Sequence, residues 1–135
     1  MTAEQRRLVR DSFDVLRDQA EPVSLLFYGK LFELDPSARR LFHIDLAVQG
    51  RKLVDTLETV IQSLDSFDAI RPRLTDLGRR HAEYGVRPEQ YDTVTVALLW
   101  AISQALGADF DRRTRDAWRL ALDAVCAAMK TAYRP

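Results

Sequence analysis

Apolar residues recur every three or four positions along most of this chain, an interval typical of amphipathic helices. Thr2 followed by Gln5 forms the pattern of a capping box, which marks a helix N-terminus. We therefore predict a first helix that runs to about Gln19. Its apolar positions at helical spacing are Leu8, Val9, Phe13 and Leu16.

The second predicted helix is apolar around more than half of its circumference, so we expect it to be deeply packed. Pro22 suits its first turn, because the N–H that proline lacks has no partner there. The pair Asp35–Pro36 ends this helix and starts a short one through Phe42, since a residue before proline disfavours helix. The apolar positions are Leu25, Leu26, Phe27, Tyr28, Leu31 and Phe32.

Four more helices follow from the same periodicity. Gly85 is placed to close the second of these, and Pro88 to open the third. The predicted ranges are about 46–64, 68–83, 88–106 and 111–133. Because no strand pattern, internal repeat or linker interrupts them, we predict an all-α fold of six to seven helices.

The length and charge of the chain exclude several classes of function. Its 135 residues suffice for one domain, 1–135, with a buried core. The 20 basic and 20 acidic side chains cancel to a net charge of zero, which disfavours nucleic acid as a partner. The longest apolar run, Val96 to Ile102, is too short to span a bilayer, so we expect no membrane partner either.

Targeting and enzyme motifs are absent from the sequence. The N-terminal residues are charged and lack the apolar core of a secretory signal. The single Cys126 permits neither an internal disulfide nor a Cys-based metal cage, and a reducing cytoplasm is the expected location. The chain contains no Gly-rich phosphate loop, paired-histidine metal motif or nucleophile elbow, which disfavours a hydrolase without a metal.

The stretch LTDLGRRHAEYGV, residues 74–86, contains His81, the side chain in this sequence that is the clearest candidate for a functional role. A neutral imidazole is a good ligand for iron. Because Arg79, Arg80 and Glu83 flank it, the same pattern is also typical of a surface histidine on a charged helix. Taken alone, this stretch favours the surface interpretation.

Polar or small residues at otherwise apolar positions provide a second signal. Tyr28 lies among inward-facing neighbours, and a buried tyrosine usually finds a hydrogen-bond partner, often a backbone carbonyl. Gln49 lies one turn before Leu53 and either faces inward, where it needs a partner, or ends the helix at the surface. Gly50 in a helix interior predicts the close approach of another helix, with Ser24 as the small residue opposite.

Together these residues resemble the globin family, in particular bacterial single-domain haemoglobins and the haem domain of flavohaemoglobins. The resemblance covers about residues 12–133 and includes Trp118 in the last helix. Its most specific segments are LLFYGKLFELDPSARRLF at 25–42, VQGRKL at 48–53, and LGRRHAEYGV at 77–86 followed by Tyr91. It implies a globin fold with one pocket for haem b, iron protoporphyrin IX.

The resemblance also implies roles for individual residues. His81 matches the proximal iron ligand, while Tyr28 and Gln49 match distal residues that donate hydrogen bonds to bound O2. Lys52 and Arg80 are candidates for the haem propionates, although solvated surface positions are equally compatible with their sequence. The full set of implied haem-contacting residues is Phe42, Lys52, Leu53, Leu77, Arg80, His81, Val86, Tyr91 and Val94, of which Leu77, Val86, Tyr91 and Val94 are expected on the proximal side.

Two further expectations concern the neighbourhood of this site. His43, next to Phe42, is expected to face solvent, with approach to a propionate as the alternative. In flavohaemoglobins a tyrosine and a glutamate support the proximal histidine; Tyr91 matches the tyrosine, but the glutamate's place falls at Tyr133. That difference weakens the case for oxidative chemistry.

The leading functional hypothesis is therefore reversible binding of O2, CO or NO, in oxygen binding, transport or storage. An alternative is nitric oxide dioxygenation, which would need a separate reductase, because no flavin or nicotinamide domain follows within the 135 residues. A haem-based sensor and a haem-free signalling module are less favoured. The sequence leaves the oligomeric state open.

Overall fold

The computed structural model describes residues 1–42 and 45–133, so the expectation for His43 lies outside the described residues. Within these ranges the chain forms helices and no strand, which confirms the all-α prediction. The α-helices are α1 (Ala3–Arg17), α2 (Ala20–Leu34), α3 (Leu46–Gln62), α4 (Arg71–Glu83), α5 (Pro88–Leu106) and α6 (Arg112–Lys130). Short 3-10 helices cover Pro36–Leu41, Leu64–Ala69 and Gly107–Asp109.

Local signals predicted several helix ends correctly. At the start of α1, the Thr2 hydroxyl accepts from the Gln5 N–H at 3.1 Å, and the Gln5 side chain accepts from the Thr2 N–H at 2.8 Å. After α4, Gly85 has φ +97°, a left-handed conformation that glycine adopts without a Cβ clash. Helix α5 begins at Pro88 and ends at Leu106, as predicted.

The start of α4 differs from the prediction. A 3-10 helix over Leu64–Ala69 precedes it, and Ser66 in that segment has non-helical angles of φ −139° and ψ 53°. Helix α4 therefore begins at Arg71 rather than near residue 68, with Pro72 in its first turn. Proline is tolerated there, since the first N–H groups of a helix have no intrahelical partner.

The buried apolar residues form two clusters, and α4 belongs to the smaller one. The larger cluster joins α1, α2, α5 and α6 around fully buried side chains such as Phe13, Leu99 and Trp118. The smaller cluster comprises Val60, Ile70, Leu74, Tyr91, Ala128 and Met129. Helix α4 packs along α6 and makes little direct contact with α3. A slot is thereby left between α3 and α4.

Close helix crossings explain two interior glycines. A Cβ added to Gly50 of α3 would lie 2.7 Å from the Ser24 Cβ of α2, closer than real Cβ atoms approach. This confirms the predicted crossing of these two helices. A Cβ added to Gly78 of α4 would lie 2.8 Å from the Cα of Met129, so α4 and α6 also approach backbone to backbone.

In the ranges that the structure covers, no helix combines the length and apolar character needed to cross a membrane.

A buried polar contact joins the end of α2 to the start of α5. Gln90 is buried; its side-chain amide donates to the Asp35 carboxylate at 2.9 Å, and its carbonyl oxygen accepts from the Arg87 N–H at 2.8 Å. Ser37 donates two further hydrogen bonds to Asp35. These bonds, the one from Gln90 first, hold the pKa of Asp35 below its ordinary value.

This contact predicts a pH-dependent contribution to stability. Because the folded pKa of Asp35 lies below the unfolded value of about 3.9, the stabilisation is present above that pH and is lost as pH falls through the folded pKa. We expect Gln90→Leu to be less stable than wild type at about pH 6, with a difference that narrows toward about pH 3. Urea unfolding followed by circular dichroism measures both free energies.

The matched control for this prediction is Gln104→Leu, which changes an exposed glutamine of the same helix. Its free energy of unfolding should equal that of wild type at every pH. A constant difference between Gln90→Leu and wild type over the acidic range would contradict the assignment to Asp35.

Candidate functional site

His81 lies in the last turn of α4 with one ring nitrogen held in place. Its Nδ1–H donates to the Leu77 carbonyl, four residues earlier, at 2.8 Å. The ring is half-buried, and no described residue forms a hydrogen bond with Nε2. A ring nitrogen that is fixed through its opposite nitrogen is the usual arrangement of a histidine that ligates a metal.

The surroundings of His81 favour the neutral imidazole. Burial lowers the pKa of His81 most strongly, the hydrogen bond to the Leu77 carbonyl opposes that shift, and the positive charge of Arg80 adds to the lowering. Only a neutral ring has a nitrogen lone pair available to bind a metal. With Nδ1 protonated by its bond to Leu77, that lone pair is on Nε2.

Two tyrosines lie behind His81. The Tyr91 ring has its centroid 6.4 Å from that of His81 and is only 5% exposed. Its hydroxyl lies 3.2 Å from that of Tyr133, which donates to the Val86 carbonyl at 2.8 Å. Burial first, and then the contact with Tyr133, raise the pKa of Tyr91. Tyr91 therefore remains a neutral phenol at physiological pH.

Tyr28 of α2 lies in the larger cluster, among aromatic rings. It is 2% exposed, with ring centroids 5.0 Å from Phe27 and 5.2 Å from Phe42. Its hydroxyl has no hydrogen-bond partner in the described part of the chain. Burial raises the pKa of Tyr28, so the group keeps its proton and remains a donor. Such a hydroxyl can donate to a ligand or to water that reaches it.

Helix α3 brings a second polar side chain to this region. Gln49 and Leu53 are half-buried and lie one turn apart, and the Gln49 amide has no partner among the described side chains. The Tyr28 ring lies against α3 beside Gly50, where Cε2 would be 3.8 Å from an added Cβ. Tyr28 and Gln49 thus come from two helices that pack on each other.

A cavity of about 510 Å³ opens between α3 and α4. This volume is within the usual range for a site that takes a small molecule or cofactor. Its walls are Asp55, Thr56, Thr59, Val60, Ile70, Pro72, Arg73, Leu74, Asp76, Leu77 and Arg80. Of the site residues predicted from the sequence, Leu77 and Arg80 line this cavity, whereas His81 and the others do not.

The two candidates for anionic groups lie at the solvent edge. Arg80 is exposed and approaches the Asp76 carboxylate at 3.4 Å, an exposed pair that contributes little to stability. Lys52 is exposed on α3, the opposite wall of the slot. Arg80 lines the cavity, whereas Lys52 does not.

Haem is a group that these residues fit. The described residues contain no cluster of three or more His, Cys, Asp or Glu that could hold a metal ion. A metal bound to His81 must therefore bring other ligands with it, as the iron of a porphyrin does. In such a group His81 would supply the protein ligand to the metal, and Tyr28 and Gln49 offer hydrogen-bond donors without a described protein partner.

Comparison with known proteins decides the family. The family model described as Globin matches residues 25–129, more than half of the chain. The chain belongs to the globin family. As a globin, it binds a haem and small gas molecules.

Individual relatives are similar along nearly the whole chain. The neuroglobin of Tetraodon nigroviridis is 25% identical over 147 residues, which cover 98% of this chain and 92% of that protein. The flavohemoprotein of Halalkalibacterium halodurans is 25% identical over 93% of this globin, but the match spans only 31% of that longer protein. One similar solved structure is that of engineered RmaNOD from Rhodothermus marinus, a carbene transferase made from a nitric oxide dioxygenase candidate. It superimposes on this globin with a TM-score of 0.86 at 29% sequence identity, and the match covers 97% of this chain and 92% of that one.

The sequence-predicted residues divide between the two hydrophobic clusters. Leu77, Val86 and Tyr91 lie in or against the smaller cluster, and the Tyr91 ring lies beside His81. The larger cluster contains or contacts Tyr28, Phe42, Leu53 and Val94.

Several wall residues were missed by the sequence analysis. Thr56 and Val60 continue the α3 stripe that includes Leu53, so helical spacing could have identified them. Arg73 and Asp76 of α4 also line the cavity, but charged residues occur all around this helix and give no signal of which ones face the slot.

Proposed function

We propose that this globin holds haem b through His81 alone and binds O2, CO or NO reversibly on the opposite side. The observation that carries the proposal is the His81 ring, neutral and fixed through Nδ1, with no hydrogen bond from a described residue to Nε2. When bound, the haem iron supplies an open coordination position for a diatomic gas. The physiological role is then oxygen binding, in transport or storage, and we place it in the cytoplasm.

Each polar residue has a distinct task in this proposal. The Leu77 carbonyl orients the imidazole, while the Tyr28 hydroxyl and the Gln49 amide donate hydrogen bonds to the gas ligand. The buried position of Tyr28 strengthens that bond, because competing water is excluded. Lys52 and Arg80 hold the propionates at the mouth of the slot.

The remaining residues shape an apolar slot that fits a flat ring. Leu53 restricts access to the ligand from α3, one turn beyond Gln49. Phe42 follows the 3-10 helix Pro36–Leu41, packs edge to face against the Tyr28 ring and closes the slot at that end. The other proposed contacts of the ring are Leu77, Val86, Tyr91 and Val94.

Replacing His81 tests the metal-ligand role directly. His81→Ala should bind hemin more weakly than wild type. Removing a hydrogen-bond partner of a metal ligand usually lowers metal affinity roughly 10–100-fold, and removing the ligand itself should lower it further. Hemin titration followed at the Soret band measures the affinity, and added imidazole should restore the ferrous spectrum. Arg79→Ala, an exposed residue of the same helix, is the control. A His81→Ala protein with the wild-type spectrum would reject the assignment.

The roles of Tyr28 and Gln49 predict the release rate of O2. Two hydrogen bonds at about 1 kcal/mol each imply that Tyr28→Phe combined with Gln49→Leu raises the O2 dissociation rate at least about ten-fold. Stopped-flow displacement of O2 by CO measures this rate. Tyr84→Phe, at a tyrosine that is 72% exposed, should leave it unchanged. Unaltered release in the double variant would exclude both donors.

Nitric oxide dioxygenation is the second candidate, and the similarity to engineered RmaNOD favours it. The reaction joins NO and O2 into nitrate and consumes an electron for each turnover. A separate reductase would deliver that electron, as a second protein partner. The Tyr28 and Gln49 donors would then serve to retain O2 until NO arrives.

Turnover separates the two candidates. Under the oxygen-binding proposal, the oxygen-saturated protein consumes NO only once per haem, even with a reductase and NADH present. Sustained formation of nitrate under those conditions would instead establish the dioxygenase. An NO electrode combined with nitrate measurement distinguishes these outcomes, with His81→Ala as the blank.

A further inference from the structure

Tyr133 lies where the end of α6 meets the turn after α4. Its hydroxyl donates to the Val86 carbonyl at 2.8 Å and lies 3.2 Å from the Tyr91 hydroxyl. The rings of Tyr91 and Tyr133 meet edge to face, with an interplanar angle of 88°. One phenol therefore contacts two elements that both adjoin His81.

Counting protons fixes the direction of the hydrogen bond between the tyrosines. A phenol has a single O–H donor, whereas a backbone carbonyl can only accept. Since the Tyr133 O–H donates its hydrogen bond to the Val86 carbonyl, the Tyr91 hydroxyl must donate to the Tyr133 oxygen. Tyr91 then has no proton left for any other partner, and its oxygen can only accept.

Both contacts of Tyr133 lead to His81. The Tyr91 ring lies beside the imidazole, at a centroid distance of 6.4 Å. The Val86 N–H donates to the His81 carbonyl at 3.0 Å, so the peptide that Tyr133 holds is itself bonded to the His81 backbone. Tyr133 thus restrains the Tyr91 ring, which lies next to the His81 imidazole, and the Val86 peptide, which is bonded to the His81 backbone.

We infer that Tyr133 is a positioning residue for His81. Its hydroxyl accepts from Tyr91 and donates to the Val86 carbonyl, and it acts on His81 through these two residues. This inference rests on the proposed ligand role of His81. The hydrogen-bond chain ends at a neutral carbonyl, so no negative charge reaches Tyr91.

The first experiment tests the direction of the hydrogen bonds in the wild-type CO complex. Proton NMR should detect the Tyr133 hydroxyl proton with cross-relaxation to Val86, and the Tyr91 hydroxyl proton with cross-relaxation to the Tyr133 ring. In Tyr91→Phe the Tyr133 resonance should persist. A Tyr133 proton directed at Tyr91 would overturn the inference, and this measurement needs no variant at position 133.

The second experiment measures the iron–histidine stretching band of the ferrous, ligand-free protein by resonance Raman spectroscopy. Tyr133→Phe, which removes both bonds, should shift and broaden the band and speed hemin loss about ten-fold. Tyr133→Glu retains an acceptor for Tyr91 and adds charge, so the band should move to higher frequency and the ferric/ferrous potential should fall. The control, Tyr84→Phe, should match wild type.

The outcomes separate this inference from the proposed function. Absence of an iron–histidine band in the wild-type protein would reject His81 as the ligand. A normal wild-type band that stays the same in Tyr133→Phe and Tyr133→Glu would leave the ligand assignment intact and reject only the role of Tyr133.

Discussion

The hydrogen bond from His81 to the Leu77 carbonyl is the interaction on which the site depends. It is local to one helical turn, yet it fixes the tautomer and restrains the orientation of the ring. Burial adds a second constraint, since it lowers the pKa of His81 and keeps the ring neutral. Together, the two constraints leave the lone pair of the neutral ring on Nε2, the nitrogen proposed to bind iron.

The slot exists because the apolar core is divided. Helix α4 packs along α6, and Gly78 allows the two backbones to approach closely. Helix α3 instead packs on α2, where Gly50 meets Ser24. The two walls are thus attached to different partners, and the space between them is left to a flat cofactor. Small residues at the two crossings set the position of each wall.

Tyr28 places one polar group among apolar neighbours. The rest of the larger cluster is apolar and well buried. A polar side chain in such surroundings departs from the local packing pattern, which is expected where a ligand completes the structure. On the opposite side the polar groups are paired with each other, as in the contact of Tyr91 with Tyr133.

The sequence alone determined the features that depend on neighbouring residues. Helical spacing, the capping box of Thr2 and Gln5 and the stop at Gly85 act within a few positions, and the structure contains each of them. The resemblance of the 25–42, 48–53 and 77–86 segments to globins led to the haem and to His81. Spacing alone left His81 open to a surface interpretation, because a one-dimensional pattern does not show what faces it.

Only the tertiary structure decided which distant residues meet. Tyr133 reaches Tyr91 from 42 positions away and Val86 from 47, and no periodicity connects them. The late start of α4 depends on the kink at Ser66. These outcomes follow from how packed helices share limited space, which local propensity does not encode.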